Sequence, residues 1–283
     1  MSRINGKKKS PIEIIGWILL LALMLLFAFA ALFPFLWMIS SSLKTETEMF
    51  IFPIQWIPDV LHFENYKNAW NMVNFPRAMG NSLLVAGTIT IGQVLTSATA
   101  GYAFAKIRFR GRDKVFLAYL ATMMVPFQVV MIPQFILFRK LGLNNTHWAL
   151  ILPGMFTVFG VFMLRQSFIG IPDEMIEAAK LDGCSEFGIL WRIVLPLNKA
   201  ALASLAIFTF RWQWNDYLAP LIYLNDKPKF TLTIALSMFK MENITMYTYI
   251  MAGSVISLVP VIILFFFTQK YLIQGITMTG QKG

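Results

Sequence analysis

Residues 14–39 hold no charged side chain and are almost wholly apolar. An α-helix needs about 20 such residues to cross the hydrocarbon core of a bilayer, and lipid offers backbone groups no hydrogen-bond partner, so a run of this kind is expected to be a membrane-spanning helix. Comparable runs cover residues 82–105, 115–138, 148–168, 200–223 and 248–271. The expected fold is therefore an all-α membrane protein with six transmembrane helices. Hydrophobic residues make up 57%, charged residues 13%, and the mean hydropathy is +0.64, which excludes an ordinary water-soluble globule.

The first run follows Arg3, Lys7, Lys8 and Lys9, and Ala28-Phe29-Ala30 imitates a cleavage site. A secretory signal has an apolar region of only about 7–15 residues. Here it continues through Leu36, Trp37 and Met38, so a retained first span is expected. The formal charge of +10 is spread over short stretches between spans rather than gathered on one soluble face, which argues against a nucleic-acid partner. Fifteen Lys and Arg fall on the side of the N-terminus and eight on the other, with Arg211 inside a span. By the positive-inside rule both termini are cytoplasmic. Cys184 is the single cysteine, so no intrachain disulfide or Cys-based zinc site is possible. His62 and His147 lie far apart in expected loops, and neither catalysis nor a metal is assigned to them.

Between the fourth and fifth spans lies a polar stretch, residues 172–196. Pro172 suits the first helical position, and Asp173 and Glu174 favour the positive end of the helix dipole. Gly183 is placed to close that helix in the left-handed conformation. Ser185 then caps a second one, in which Phe187, Leu190, Trp191 and Val194 recur as one apolar stripe and Pro196 ends the helix. Such a bent pair is a knob suited to docking. A blander alternative pairs Glu177 with Lys180 on a solvated helix face, worth tenths of a kcal/mol.

Glu177-Ala178-Ala179, then Gly183, Ile193 and Leu195-Pro196, resembles the EAA loop of permease subunits in bacterial ATP-binding-cassette importers. Further matches are Asn81-Ser82-Leu83, Tyr102-Ala103-Phe104-Ala105, Phe109-Arg110-Gly111-Arg112, Gly142-Leu143, Trp214-Asn215-Asp216, Met278-Thr279-Gly280 and Lys282-Gly283. Together they look like sugar-importer permeases of the maltose-permease type. The resemblance implies a type I importer permease. Residues 1–80 would be a cytoplasmic tail, first span and extracytoplasmic loop, and residues 81–283 a permease core with a coupling loop at 170–199. It implies docking on an ATPase through Glu177, Ala178, Ala179, Asp182 and Gly183. It also implies a second, non-identical permease, two cytoplasmic ATPase subunits that bind ATP and Mg, and an extracytoplasmic sugar-binding protein. No cofactor is expected on this chain, which has no G-x-x-x-x-G-K-[ST].

The substrate path is harder to place. Residues 211–217 combine Arg211, Trp212, Gln213, Trp214, Asn215, Asp216 and Tyr217 within a span. Charges there cost a few kcal/mol in lipid, so Arg211 and Asp216 should pair, face a cavity or reach the interface. Trp faces beside amide and carboxylate groups suit a sugar, while an interfacial aromatic belt is the plain alternative. Gln128 and Gln134, beside Pro126 and Pro133, are expected at a kink, facing either another helix or the path. Competing functions are an importer of another solute, an ion-coupled secondary transporter using Asp216 and Arg211, and a membrane-embedded enzyme. The second would show internal repeats and the third a convergent acid, base or metal set. Neither stands out in this sequence.

Overall fold

The computed structural model describes residues 11–240 and 245–279. Arg3, the lysines at 7–9, Gly280, Lys282 and Gly283 lie outside the described residues. Helices account for nearly all of the regular structure, with one isolated antiparallel bridge between Lys240 and Thr245. Among the described residues, four helices are long and apolar enough to cross a membrane, and two pairs bent by 93° and 84° bring the number to as many as six. The chain forms two compact units.

The first unit comprises residues 1–69 and 246–255. It holds α1 (Pro11–Ser42), most of α2 (Glu64–Met72) and the start of α14 (Tyr247–Thr279). Apolar side chains on every side of α1 are exposed, the pattern of a helix solvated by lipid. Beyond it the chain is polar yet ordered. Lys44 is buried, donates to the Gln55 carbonyl and sits 4.9 Å from the Trp37 ring centre. Asn65 Nδ2 donates to the Ser42 and Lys44 carbonyls at 3.0 and 2.8 Å. Glu46 Oε1 accepts from both the N and the Oγ1 of Thr248.

The second unit is built around α3 (Phe75–Lys106), which begins earlier than the expected residue 82. Asn74 takes a φ of 50° and Pro76 falls in the first turn, where its missing N–H costs nothing, so this proline starts the helix instead of breaking it. Of the small residues in α3, Ala86, Gly92, Ser97, Ala98 and Gly101 are buried. They let α3 pack closely on α7 (Val158–Ile169) and on α11 (Lys199–Trp214). A Cβ at Gly101 would lie 3.1 Å from the backbone N of Arg165.

The expected third span is sharply bent. It consists of α4 (Arg112–Ala121), a short 3-10 turn and α5 (Phe127–Lys140), with the 93° bend at Pro126. Pro133 stays inside α5. The fourth is interrupted too, α6 (Trp148–Gly154) being separated from α7 by residues 155–157. Gln93 Nε2 donates to the Gly154 carbonyl and Thr96 Oγ1 to the Met155 carbonyl, both at 2.7 Å, so side chains of α3 satisfy the groups freed by the break.

Polar residues 172–196 form α8 (Asp173–Leu181) and α9 (Glu186–Ile189), the latter running on as a π turn over Leu190–Val194 and as α10 (Leu195–Leu197). The fifth span is not the continuous helix expected over 200–223. It stops with α11 at Trp214 and resumes as α12 (Leu218–Tyr223), because Asn215 Nδ2 folds back onto the Arg211 carbonyl at 2.8 Å. A short helix, α13 (Leu232–Ser237), packs on α3, and the Leu232 N–H donates to Ser82 Oγ. The last helix, α14, continues to Thr279, past the end expected at 271.

Gly101→Val should force α3 and α7 apart and cost about 1–3 kcal/mol. Thermal unfolding in detergent should show a lowered midpoint. Gly87→Val, with nothing within 4 Å of its Cβ, should leave the midpoint in place.

Candidate functional site

The α8–α9 hairpin is joined by a turn in which Gly183 takes a φ of 80°. No other residue type holds that conformation cheaply. Its N–H donates to the Lys180 carbonyl, and the Cys184 N–H to the Ala179 carbonyl. Ser185 Oγ accepts the Gly188 N–H at 3.2 Å, capping α9. Pro172 stands at the cap of α8, one position outside the first turn expected for it. Pro196 lies inside α10, so the helix closes at Leu197.

Three contacts root the hairpin in the bundle. Tyr102 Oη donates to Glu186 Oε2 at 2.6 Å, while Lys180 Nζ pairs with Glu186 Oε1 at 2.6 Å. Lys106 Nζ donates to the Ile171 carbonyl at 2.5 Å and to Asp173 Oδ1 at 2.6 Å. Ser167 Oγ donates to Asn198 Oδ1 at 2.5 Å. The Lys180 ammonium, then the Tyr102 hydroxyl, hold the Glu186 carboxyl below its ordinary range, and Lys106 does the same for Asp173. Lys180 is thus engaged with Glu186, and Glu177 makes no ion pair or hydrogen bond among the described residues. The Glu177–Lys180 pair is overturned.

The expected stripe also divides. Leu190 and Val194 are buried with Ile189, Tyr102, Leu164 and Leu205, whereas Phe187 and Trp191 are 64% and 44% exposed and pack on each other with ring centres 5.7 Å apart. The π turn at Leu190–Val194 shifts the helical register so that Val194 shares the buried side with Ile189 and Leu190, and this aromatic pair is left outside. With it on the exposed surface lie Glu177, Ala178, Leu181, Asp182 and Gly183, while Ala179 is buried. Sequence reasoning missed Tyr102 and Lys106 as anchors. The available signal was a hydroxyl and an ammonium in the last two turns of a span.

A second constellation lies where α11 ends. Arg211, Trp212, Trp214, Asn215, Asp216 and Tyr217 line a cavity of about 680 Å³, with Ser257 and Leu258 of α14 among its other walls. Arg211 and Asp216 both face it, and no ion pair joins them among the described residues. Thr233 Oγ1 donates to the Asp216 carbonyl at 2.6 Å, holding the break open. The two tryptophans differ. Trp214 is 3% exposed, stacks on Phe210 and donates Nε1–H to the Ser257 carbonyl, whereas Trp212 is 74% exposed. Gln128 and Gln134 are not brought to this cavity. Gln134 Oε1 accepts from Tyr223 Oη at 3.2 Å, a helix–helix bond, and Gln128 is exposed.

The sequence profile of the family described as binding-protein-dependent transport system inner membrane component matches residues 93–278. The arabinooligosaccharides transport system permease protein AraQ of Halalkalibacterium halodurans is 38% identical over 280 residues, covering 98% of this chain and 99% of that protein. The lactose transport system permease protein LacG of Rhizobium radiobacter is 33% identical, with 88% and 90% covered. A crystal structure of a bacterial ABC transporter involved in the import of the acidic polysaccharide alginate contains a chain that superposes with a TM-score of 0.82 at 25% identity, covering 94% of this chain and all of that one.

Tyr102→Phe should loosen the hairpin by removing a charge-assisted hydrogen bond worth about 1.5–3 kcal/mol. In detergent, trypsin should cut after Lys180 severalfold faster than in the parent chain, and an unchanged rate would mean the bond anchors nothing. Since the Glu186 carboxyl is held low, the anchor is complete above the ordinary carboxylate range and is lost as pH falls through the lowered value. Cleavage by an acid-active protease should accelerate there in the parent chain and much less in Glu186→Gln.

Proposed function

The chain belongs to the binding-protein-dependent transport system inner membrane components, and from that premise we propose how it works: substrate passes through the membrane part while nucleotide chemistry stays on other subunits. It is a membrane-embedded permease subunit of an ATP-binding-cassette sugar importer, a transport component and not an enzyme. The near full-length likeness to the arabinooligosaccharide permease carries the reading, and it makes an oligosaccharide the cargo. The cavity at Arg211–Leu218 agrees in chemistry, since an exposed indole, an amide and a carboxylate around a space of about 680 Å³ can stack on a sugar face and bind its hydroxyls. The path follows that cavity. Trp212, Asn215 and Asp216 touch sugar, and Trp214 holds the wall.

Coupling runs through the α8–α9 hairpin, the family's EAA loop. Glu177 is unpaired and outward, so its carboxylate is free for a basic group on an ATPase, with Ala178, Asp182 and Gly183 beside it. The partners are a second, non-identical permease, two cytoplasmic ATPases that bind ATP and Mg, and an extracytoplasmic sugar-binding protein. Residues 81–283 form the permease core, and both termini face the cytoplasm. The trypsin cut after Lys180 reads that orientation, because it should occur in inverted vesicles and not in right-side-out ones.

Gly183→Pro cannot adopt a φ of 80°. Co-expressed with its partners, the variant should insert and assemble, yet lose sugar uptake and sugar-stimulated ATP hydrolysis by at least tenfold. Normal uptake would remove the hairpin from the coupling path. For the cavity, Trp212→Ala should raise the apparent KM for sugar severalfold without changing thermal stability, and Trp214→Ala should lower stability by about 3–5 kcal/mol, the usual loss for a buried aromatic. Unchanged kinetics in Trp212→Ala would make that residue part of an aromatic belt.

A further inference from the structure

Residues 105–114, with Arg165, Ile169 and Asp173 at the root of the α8–α9 hairpin, border a second cavity, of about 710 Å³, separate from the one at Arg211–Leu218. Lys106, Arg108, Arg112, Lys114 and Arg165 line it together with only two carboxylates, Asp113 and Asp173, leaving three positive charges in excess. The carboxylates are already shared. Asp113 Oδ1 takes Arg112 Nε at 3.3 Å and Arg165 at 3.4 Å, while Asp173 takes Lys106 at 2.6 Å and Arg108 only at 4.0 Å. Lys114 has no ion pair among the described residues, and the Arg108 side chain is 83% exposed. Arg165 is pinned, with its guanidinium carbon 4.2 Å from the Phe116 ring centre and Nε donating to the Phe104 carbonyl.

Fixed guanidiniums and a free ammonium around a concave space, opening at the N-terminus of α4, form a receptor for a doubly bonded oxyanion. We infer that this cavity binds a phosphate-bearing anion, and that its occupant is the headgroup of an anionic phospholipid of the cytoplasmic leaflet. Three observations favour lipid over free phosphate. The cavity lies where α3 and α7 end and α4 begins, at the level of the membrane surface. Its lining includes Phe109 and Ile169, 43% and 47% exposed, so an acyl chain meets apolar side chains beside the headgroup. Its volume far exceeds that of one small ion, a water's share being about 30 Å³. Basic pockets between spans on this face are suited to such headgroups. Lys106, which reaches Asp173 and the Ile171 carbonyl, places the lipid against the root of the hairpin.

Full-length chain purified in detergent supplies the test by native mass spectrometry, with phosphatidylglycerol, phosphatidylcholine and inorganic phosphate as separate probes. Phosphatidylglycerol should bind one per chain, more tightly than phosphatidylcholine. Removing two surface cations in Arg108→Gln/Lys114→Gln should weaken it roughly tenfold or more. The charge-matched control Arg192→Gln/Lys199→Gln, outside the cavity, should change it less than twofold. Millimolar phosphate that binds alone, is lost in the first variant and shows no lipid preference would keep the anion site but make its occupant a free anion. Equal weakening in both variants, or phosphatidylcholine bound as tightly with no phosphate bound, would overturn the site. Matching thermal midpoints show that both variants are folded. The readout is binding, so a negative result leaves the importer reading untouched.

Discussion

Every break in a membrane helix frees backbone groups that lipid cannot satisfy, and the fold answers that constraint with polar side chains of neighbouring helices. Gln93 meets the Gly154 carbonyl and is itself met by Thr209 Oγ1 at 2.6 Å, while Thr96 meets the Met155 carbonyl. At the second break Asn215 and Thr233 meet the Arg211 and Asp216 carbonyls. Leaving one such buried group unmatched costs about 1–3 kcal/mol, comparable to a whole core methyl or two. These few polar residues therefore decide where helices can end inside the membrane. The cavity at Asp216 exists because a helix ends there.

The same helix that meets the first break also carries the anchors of the α8–α9 hairpin. Along α3, Gln93 and Thr96 face α6–α7, Gly101 lets α7 approach, and Tyr102 and Lys106 reach Glu186 and Asp173. One continuous helix thus links the broken fourth span to the α8–α9 hairpin. Hydrophobic packing adds to the polar anchors, since Ile189, Leu190 and Val194 are buried with residues of α3, α7 and α11.

Much of this was legible in the sequence. Apolar runs of bilayer length gave the spans, and the chemistry of Gly183 and Ser185 gave the hairpin, because a positive φ and an N-cap are local demands that local residues answer. Spacing alone failed where tertiary structure intervened. A 3.6-residue period placed Phe187 and Trp191 on one stripe with Leu190 and Val194, but a π turn inserts a register shift that no periodicity encodes. Residues 200–223 read as one span since their mean apolarity is high, yet the polar side chains at 215 and 233 sustain a break within them. Gln128 and Gln134 looked alike beside their prolines. Only packing separates them, Gln134 meeting Tyr223 and Gln128 remaining exposed.

The way the hairpin is held limits how it can move. Its polar anchors lie on both arms, Asp173 at the start of α8 and Glu186 at the start of α9, and both connect to the last two turns of α3. Lys180 joins the arms to each other through Glu186. A hinge within the hairpin would have to break these charge-assisted bonds, whereas displacing hairpin and α3 together breaks none of them. A displacement of the hairpin as a unit therefore carries α3 with it. Since α3 also supplies the partners for the broken fourth span through Gln93 and Thr96, that motion acts directly on the discontinuity at 155–157.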